Sequence, residues 1–207
     1  MINKKELIDH KDFYSAVKSR RSYHFISNEP IISDEKIEEI VNLAVLHSPS
    51  AFNSQSDRAV ILLGENHRKL WEITEGTLRK RVPAEKFSAT EERLNAFGKG
   101  YGTVLFFEDT AIIESLQQNF ESYKDNFPLW SQQSSAMLQY IVWTALETEG
   151  YGVSIQHYNP LIDEAVKKEW NLPSNWKLIA QMPFGKPIAP PKEKHYEPIE
   201  DRVKVFK

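Results

Sequence analysis

With 207 residues, 41% of them hydrophobic, the chain is long and apolar enough for one globular domain with a substantial core. A formal net charge of −3 gives no basic field for nucleic acid or for an anionic membrane, and the absence of cysteine excludes disulfides, thiolate nucleophiles and cysteine-ligated zinc. The N-terminus lacks the apolar core of a signal peptide, and no apolar run approaches the roughly 20 residues that span a bilayer. We therefore expect a cytoplasmic protein.

The first half of the chain is predicted to alternate between helices and strands. Asp12 is expected to cap a short helix that ends near Arg20, and Ser33 a second helix that stops at Ser48. The hydrophobic pattern then predicts five further segments. These are a strand over 59–63, a helix over 67–80, a partly helical stretch over 83–99, a buried strand over 103–108 and a helix over 110–123 that leads into an aromatic stretch at 127–130.

The most apolar predicted helix covers residues 134–149. A helix that is apolar nearly all round is buried, either in a core or against a partner subunit. The elements predicted after it are a short strand over 153–155, a helix over 162–170 with Asn159 and Pro160 as its cap and first-turn proline, and a strand over 177–182.

The last segment, residues 187–207, contains four prolines but also three apolar residues close to its end. We predict an extended arm that reaches onto a partner subunit. The alternation of helices and strands lacks strict βαβ spacing, so the predicted class is mixed α/β or α+β in a single domain spanning residues 1–207.

Several common catalytic motifs are missing from the sequence. The glycine run at 98–102 precedes a predicted strand instead of linking a strand to a helix, as a dinucleotide turn would. The six histidines show no metal-ligand spacing, so no metal site is predicted. Without a nucleophile, metal or phosphate loop, a bound cofactor becomes the natural source of chemistry.

Two guanidiniums and a hydroxyl stand on consecutive residues at Arg20, Arg21 and Ser22. Arginine offers bidentate donors in a fixed geometry, so this group is suited to grip a phosphate. The alternative is that cations near a helix C-terminus only complement the helix dipole.

Two further segments carry polar groups that suit a flat ligand. The loop at 48–55 offers amides and hydroxyls, although proline, serine and asparagine are also ordinary turn residues. In the segment at 149–160, glycines permit a close backbone approach, and Gln156 and His157 can direct hydrogen bonds at ring nitrogens. The alternative for this segment is a helix C-cap followed by a strand.

Taken in order, these three segments resemble the FMN-dependent nitroreductases. The motifs that carry the resemblance are Arg20-Arg21-Ser22, then Ser48-Pro49-Ser50 with Asn53 and Gln55, and a late Glu149-Gly150 helix exit. The resemblance covers nearly the whole chain. The stretches 138–160 and 176–185 are similar to one short subgroup, which holds fungal nitroreductases linked to fatty-acid regulation and bacterial copper-induced nitroreductases.

The resemblance implies a homodimer with two FMN sites at its interface. It implies a central mixed, mostly antiparallel sheet flanked by helices, with the C-terminal arm crossing to the other subunit. Electrons would pass from NADH or NADPH to a small nitroaromatic or quinone-like acceptor by a ping-pong mechanism, in an oxidative or xenobiotic stress response. The alternatives are a flavin or quinone reductase on the same fold, and a non-catalytic flavin-binding regulatory protein.

The resemblance also implies which residues bind FMN. One subunit would supply Arg20, Arg21 and Ser22 to the phosphate and ribityl groups, and the other would supply Pro49, Ser50, Ala51 and Asn53. Ser154, Ile155, Gln156 and His157 would line the isoalloxazine, and Lys194 would be a second phosphate cation. His24 and Gln55 complete the set of predicted FMN-binding residues.

The sequence departs from the family pattern at three places. His24 stands where the family often has Arg or Lys, Tyr196 where a tail Arg is common, and Ser56 where Pro often follows the Gln. Phosphate binding is therefore expected to depend more on Arg20, Arg21 and Lys194. No catalytic residue is assigned.

Three aromatic side chains, Phe127, Trp130 and Tyr158, are candidates for the wall of the acceptor pocket. Core packing is the alternative role for each of them.

Overall fold

A computed structural model describes residues 12–207, which contain seven α-helices and five β-strands. The helices are α1 (Phe13–Ser19), α2 (Asp34–His47), α3 (Gly64–Arg79), α4 (Ser88–Gly98), α5 (Thr110–Asn119), α6 (Phe127–Thr148) and α7 (Asp163–Glu169). The strands are β1 (Ile26–Ser27), β2 (Asp57–Leu63), β3 (Gly102–Asp109), β4 (Gly152–Val153) and β5 (Trp176–Pro187). Within residues 12–207, no helix combines the length and the apolar character needed to cross a bilayer.

The strands form one sheet in the order β1-β5-β3-β2, and β4 pairs with β5 beside this path. Every strand pair is antiparallel. The bridge between Ser22 and Val153, which lies outside the named strands, is parallel. The predicted mixed, mostly antiparallel sheet with flanking helices is therefore confirmed.

Helices cover both faces of the sheet because the residues of β3 alternate between two apolar cores. Val104 and Phe106 belong to the core that α2 and α6 cover, whereas Leu105 and Phe107 belong to the core that α3, α4 and α7 cover. Successive side chains of a strand point to opposite faces, and all eight residues of β3 are buried. The uninterrupted apolar run that predicted a buried strand here reflects this double coverage.

Two side-chain caps predicted from the sequence are present. The carboxylate of Asp12 accepts the backbone N–H groups of Tyr14 and Ser15 at the start of α1. Ser33 accepts the backbone N–H of Lys36 at the start of α2. Both helix starts follow from the hydrogen-bond needs of the first turn.

Helix α6 is the longest helix and begins seven residues earlier than predicted. Its first turn is the aromatic stretch that was assigned to the end of the preceding helix. Phe127 is buried, and Pro128 fits the first turn because the missing N–H is not needed there. The preceding helix, α5, ends at Asn119 and not at Tyr123, because Phe120 leaves the helical conformation.

The predicted cap of the next helix was also wrong. Helix α7 begins at Asp163, and Asn159 does not cap it. The Asn159 side chain instead accepts a hydrogen bond from Gln181 at 3.5 Å, and the N–H of Leu161 closes a turn onto Tyr158. The Asn159–Pro160 peptide bond is cis.

Strand β4 is shorter than the predicted strand over 153–155. Ser154 donates its backbone N–H to Pro183, and Gln156 exchanges two backbone hydrogen bonds with Gln181 of β5. The segment therefore continues alongside β5 as an isolated bridge.

The C-terminal segment follows β5 closely before leaving the domain surface. Ile188 donates its backbone N–H to Phe25, and a short 3-10 turn covers Ile199–Asp201. Residues 192–207 are all exposed in the single chain, including Phe206 at 93%. The crossing of this arm to a partner subunit stays a prediction.

Candidate functional site

Helix α6 holds the two consecutive arginines that follow α1. The Arg20 guanidinium carbon lies 4.3 Å from the centroid of the Trp143 ring. The backbone N–H of Arg21 donates to the Glu147 carboxylate at 2.8 Å. Trp143 and Glu147 are one helical turn apart on the same face of α6, so one helix positions both arginines.

The arginine segment lies beside the segment that follows α6. Tyr23 donates its backbone N–H to Val153 at 3.0 Å, next to the bridge between Ser22 and Val153. Beyond Val153, Ser154 is buried and accepts a hydrogen bond from the Gln156 amide at 3.2 Å. The structure thus brings together the first and third of the three predicted site segments. The side chain of His157 is exposed at the end of this group.

The glycines of the 149–160 segment are required by the fold itself. Gly150 has a φ of +100°, which suits the residue that ends α6. A Cβ atom at Gly152 would lie 2.9 Å from the Cβ of Tyr23. Both glycines are therefore explained by the conformation and packing of the protein's own backbone. This matches the alternative of a helix C-cap followed by a strand.

A cationic cleft of about 320 Å³ opens next to the arginine segment. It is lined by His24, Phe25, Ala89, Glu92, Arg93, Ala96 and Lys192. Burial lowers the pKa of His24, and the positive charges of Lys192 and Arg93 lower it further. The neutral imidazole is therefore favoured, and the charged side chains that line the cleft are the cationic Arg93 and Lys192 and the acidic Glu92. The volume is at the lower end of the roughly 300–1,000 Å³ found for small-molecule pockets.

The arginines of residues 12–207 fall into two groups, those with an acid partner and those without, and the second group also includes the exposed Arg81 and Arg202. Arg58 forms an ion pair with Asp109 at 2.9 Å and Arg79 with Glu75 at 2.8 Å. Across residues 12–207, the side chains of Arg20 and Arg93 have no ion pair and no hydrogen bond. The Arg21 guanidinium donates to the carbonyl of Lys192. Arg93 and Lys192 are exposed, whereas Arg20 is half-buried, and a half-buried cation without an acid is costly unless an anion is to be bound.

Arg93 and Lys192 were not among the predicted site residues. Arg93 lies on α4, in the stretch where the sequence indicated only partial helix, so no motif marked it. Lys192 is two residues before Lys194, the predicted phosphate cation. The Nζ of Lys194 lies 4.8 Å from the centroid of the Tyr196 ring, and it is Lys192 that lines the cleft.

The predicted loop ligands lie elsewhere, in a short turn after α2. The residues Ala51–Asn53 form a 3-10 turn, and Ser50 accepts the backbone N–H of Gln55 at 3.0 Å. Phe52, Asn53 and Gln55 have positive φ angles of 57°, 50° and 48°. Each such residue costs about 1–2 kcal/mol relative to a right-handed conformation. Pro49 and Ala51 complete this loop.

The strained turn presents Phe52 to an aromatic cluster. Its ring centroid lies 4.9 Å from Phe120, 5.3 Å from Phe127 and 5.7 Å from Tyr123, and it is nearly parallel to Trp130 at 6.1 Å. Phe52 remains 51% exposed. A shallow cleft of about 340 Å³ adjoins it, lined by Ala51, Trp130, Gln133, Ser134 and Met137.

The three candidate wall residues do not share one surface. Phe127 is buried, which matches the core-packing alternative, and Trp130 borders the cleft beside the loop. Tyr158 packs edge-on against Trp71 at 5.9 Å, on the side of the sheet that α3 covers.

A half-buried and a buried carboxylate lie on the two strands that follow the loop. Asp57 at the start of β2 is in register with Glu108 of β3. One oxygen atom of each carboxylate is buried without a hydrogen-bond partner. Burial first, and then the charge of Glu108, raise the pKa of Asp57 to about 6, against a weaker opposing effect of Arg58. Burial also raises the pKa of Glu108, which Ser131 and Lys177 partly offset.

The loop and the arginine segment are far apart in a single chain. Trp130 packs beside the loop and Trp143 beneath Arg20, and thirteen positions separate them on α6. At 1.5 Å per residue this is about 20 Å along the helix axis. Each half of α6 therefore contacts a different group of predicted ligands. The two groups do not meet within one chain.

Comparisons with known proteins agree with this architecture. The model of the nitroreductase family matches residues 17–186. The chain is 38% identical over 175 residues to the Saccharomyces cerevisiae protein HBN1, covering 84% of this chain and 86% of that protein. It is 28% identical over 197 residues to nitroreductase FRM2 of the same yeast, covering 94% of this chain and 97% of that protein.

Solved structures share the fold. Nitroreductase CinD from Lactococcus lactis in complex with chloramphenicol superimposes with a TM-score of 0.87 at 43% identity, covering 95% of this chain and all of that one. A nitroreductase from Desulfitobacterium hafniense with bound FMN shares the fold at a TM-score of 0.68 and 14% identity, covering 94% of this chain and 97% of that one. The matches to the family model, to HBN1 and to CinD support an oxidoreductase role, and the family match over residues 17–186 shows that the chain belongs to the nitroreductase family.

Proposed function

We propose that this protein is an FMN-dependent oxidoreductase of the cytoplasm that works as a homodimer and reduces small nitroaromatic or quinone-like compounds with NADH or NADPH. The observation that carries the proposal is the half-buried Arg20, whose side chain has no ion pair within residues 12–207 and which Trp143 holds beside the segment that leads to Ser154. A cleft lined by Arg93 and Lys192 opens next to His24. A nitroreductase-family chain with uncompensated positive charge at this place is suited to an anionic, flat cofactor.

The residues present fit FMN in their chemistry. Arg20, Arg21 and Ser22 would hold the phosphate, because guanidiniums bind phosphate oxygens bidentately. Lys192 and Lys194 would add positive charge from the tail. The neutral His24 and the amide of Gln156 are able to donate or accept hydrogen bonds at the polar edge of the ring system.

When bound, FMN would supply a carrier that takes hydride from a nicotinamide and delivers two electrons to a second molecule in a separate half-reaction. The chain's own contribution would be placement and charge. Arg93 and Lys192 would keep the surroundings positive where negative charge develops on reduction. His157 or water would supply protons, because the His157 side chain is exposed.

The acceptor class is proposed from relatives. CinD has been solved with chloramphenicol and with 4-nitrophenol, both of which are nitroaromatic. It has also been solved with nicotinic acid. In this chain, the half-exposed aromatic surface of Phe52 and Trp130 would pack on such a flat acceptor. A role in oxidative or xenobiotic stress would follow from these substrates.

The homodimer is proposed because one chain does not complete the site. Pro49, Ser50, Ala51, Asn53 and Gln55 would reach the FMN of the partner subunit, since they lie about 20 Å along α6 from Arg20 of their own chain. Large apolar side chains are exposed on α2 and α6, among them Leu46 at 77% and Met137 at 41%. The apolar end of the tail would cover part of the same interface.

An absorption spectrum tests the proposal. The purified protein, supplied with FMN, is expected to show a bound-flavin spectrum that bleaches with NADH or NADPH without oxygen and recovers when a nitroaromatic is added. Bound flavin that neither donor bleaches would favour a regulatory flavin-binding protein. Recovery that is much faster with free flavin or a quinone than with nitroaromatics would favour the flavin or quinone reductase alternative. Failure to bind FMN would contradict the proposal.

A further inference from the structure

Arg20 is held in place by an aromatic ring and not by an acid. Its guanidinium carbon lies over the Trp143 ring at 4.3 Å, and both side chains are half-buried. Among the described residues, 12–207, the donors of Arg20 have no acceptor. A guanidinium placed over an indole keeps its N–H groups pointing outward in its own plane, where an anion is able to accept them.

Packing alone does not explain a tryptophan at this position. The indole N–H of Trp143 is buried and has no hydrogen-bond partner within residues 12–207. A buried donor without an acceptor destabilises the fold, so phenylalanine would suit a purely structural role better. What tryptophan adds is the strongest attraction of any side-chain ring for a cation.

The next residue is fixed by the same helix. Glu147, one turn after Trp143, is buried and accepts the backbone N–H of Arg21 at 2.8 Å. Helix α6 therefore fixes one arginine through its side chain and its neighbour through its backbone. With the backbone anchored, the direction of the Arg20 guanidinium depends on Trp143.

We propose that Trp143 is a positioning residue that aims Arg20 at the phosphate of FMN, so that it makes the protein prefer FMN over riboflavin. This inference rests on the proposed function, because it presupposes a flavin site at Arg20. Trp143 itself would touch neither the phosphate nor the reacting ring. Its effect would therefore be specific to the phosphorylated form of the flavin.

The test compares the dissociation constants of FMN and riboflavin, measured by quenching of flavin fluorescence. Trp143→Leu is expected to weaken FMN binding about tenfold and riboflavin binding less than about twofold. Trp143→Phe, which keeps an aromatic ring, is expected to fall between Trp143→Leu and the unchanged protein. Arg20→Ala is expected to lose most of the preference for FMN.

A matched control exists elsewhere in the chain. Trp176 also lies under an arginine, with the Arg58 guanidinium carbon 5.8 Å from its ring centroid, but Arg58 already has Asp109 as its acid partner. Trp176→Leu should leave the ratio of the two dissociation constants unchanged. Thermal unfolding of the flavin-free variants checks that each is folded, and Trp143→Phe carries the test if Trp143→Leu does not fold.

Equal weakening of FMN and riboflavin by the Trp143 substitutions would show a structural role and overturn the inference. An unchanged ratio in Trp143→Leu, with a lost preference in Arg20→Ala, would also overturn it while leaving the proposed function intact. An unchanged protein that binds neither flavin would overturn the proposed function and this inference together.

Discussion

The two halves of α6 differ in the kind of side chain that surrounds them. Around its C-terminal half, Trp143 and Glu147 hold Arg20 and Arg21, and the Arg20 side chain has no ion pair within residues 12–207. Around its N-terminal half, a strained loop presents a half-exposed Phe52, and the half-buried Asp57 lies in register with the buried Glu108 on the strands that follow. The first end has the character of an anion receptor and the second that of an apolar cover. We propose that each end is one half of a site.

The largest effect is expected at the cationic end. Replacing Arg20 and Arg21 together with alanine should weaken FMN binding by about 100-fold or more, because each hydrogen bond to a charged group contributes roughly 1.5–3 kcal/mol. Titration of flavin fluorescence measures this. Arg68→Ala, which removes an exposed ion pair with Glu65, is the control and should change little. Unchanged FMN affinity in the double variant would mean that the phosphate is bound elsewhere.

The second effect concerns the stability of the apolar end. Phe52→Ala should lower the free energy of unfolding by about 2–3 kcal/mol, since four ring contacts are lost. Phe52→Gly should be about 1 kcal/mol less damaging than Phe52→Ala, because glycine accepts the φ of +57°. Urea unfolding of the flavin-free protein measures both.

Phe120 provides the matched pair for this comparison. Its φ is −132°, so Phe120→Gly should be no more stable than Phe120→Ala. If glycine and alanine rank the same way at both positions, the loop does not have the strained backbone described here.

A third effect separates the two lysines of the tail. Lys192→Ala should weaken FMN binding about fivefold, because Lys192 lines the cationic cleft. Lys194→Ala should weaken it about twofold, since its charge lies against Tyr196 in the single chain. The FMN dissociation constants of both variants, measured at two salt concentrations, test this order. A larger loss of affinity in Lys194→Ala would identify Lys194 as the phosphate cation.

The smallest effect is a pH dependence of the free energy of unfolding that arises from the Asp57 carboxylate. The pKa of Asp57 is raised from 3.8 to about 6 in the folded protein, so the folded state holds this proton more tightly than the unfolded state. Its contribution to stability is therefore favourable below pH 4 and is lost as the pH rises through 6. Because Asp57 is only partly buried, Asp57→Asn should stabilise the protein by about 1 kcal/mol at pH 8 and not at pH 4.

Urea unfolding at the two pH values checks this prediction. Glu169→Gln, at an exposed position, is the control and should change the free energy of unfolding by the same amount at both pH values. A stabilisation by Asp57→Asn that is equal at pH 4 and pH 8 would show that the carboxylate does not titrate in this range.

The sequence predicted those parts of the fold that local chemistry determines. Asp12 and Ser33 signalled helix starts because side-chain caps are a local requirement. The run at 103–108 indicated a buried strand because its four central positions, 104–107, are apolar. The start of α6 was missed because Phe127 and Pro128 indicated a break, whereas in the structure Phe127 packs against Phe52 and Pro128 fits the first turn.

The candidate site was predictable only where a motif is contiguous. Arg20, Arg21 and Ser22 stand together in the chain, so their shared chemistry could be recognised. Arg93 could not be found in this way, because it reaches the cleft only through the packing of α4 beside the segment at His24. The two halves of the site likewise could be named from the sequence, but their separation along α6 required the structure.

The most direct test of the central claim uses mixed dimers. One parent carries Arg20→Ala and Arg21→Ala, and the other carries Asn53→Gly with Ser50→Ala, which spares the backbone at the positive φ of Asn53. Bound flavin is measured after co-expression, at an FMN concentration that fills the unchanged protein but neither parent. If each site joins the cationic end of one chain to the loop of another, the mixed dimer should regain about one intact site. No recovery in a verified mixed dimer would contradict the account, because it would place both halves in one chain.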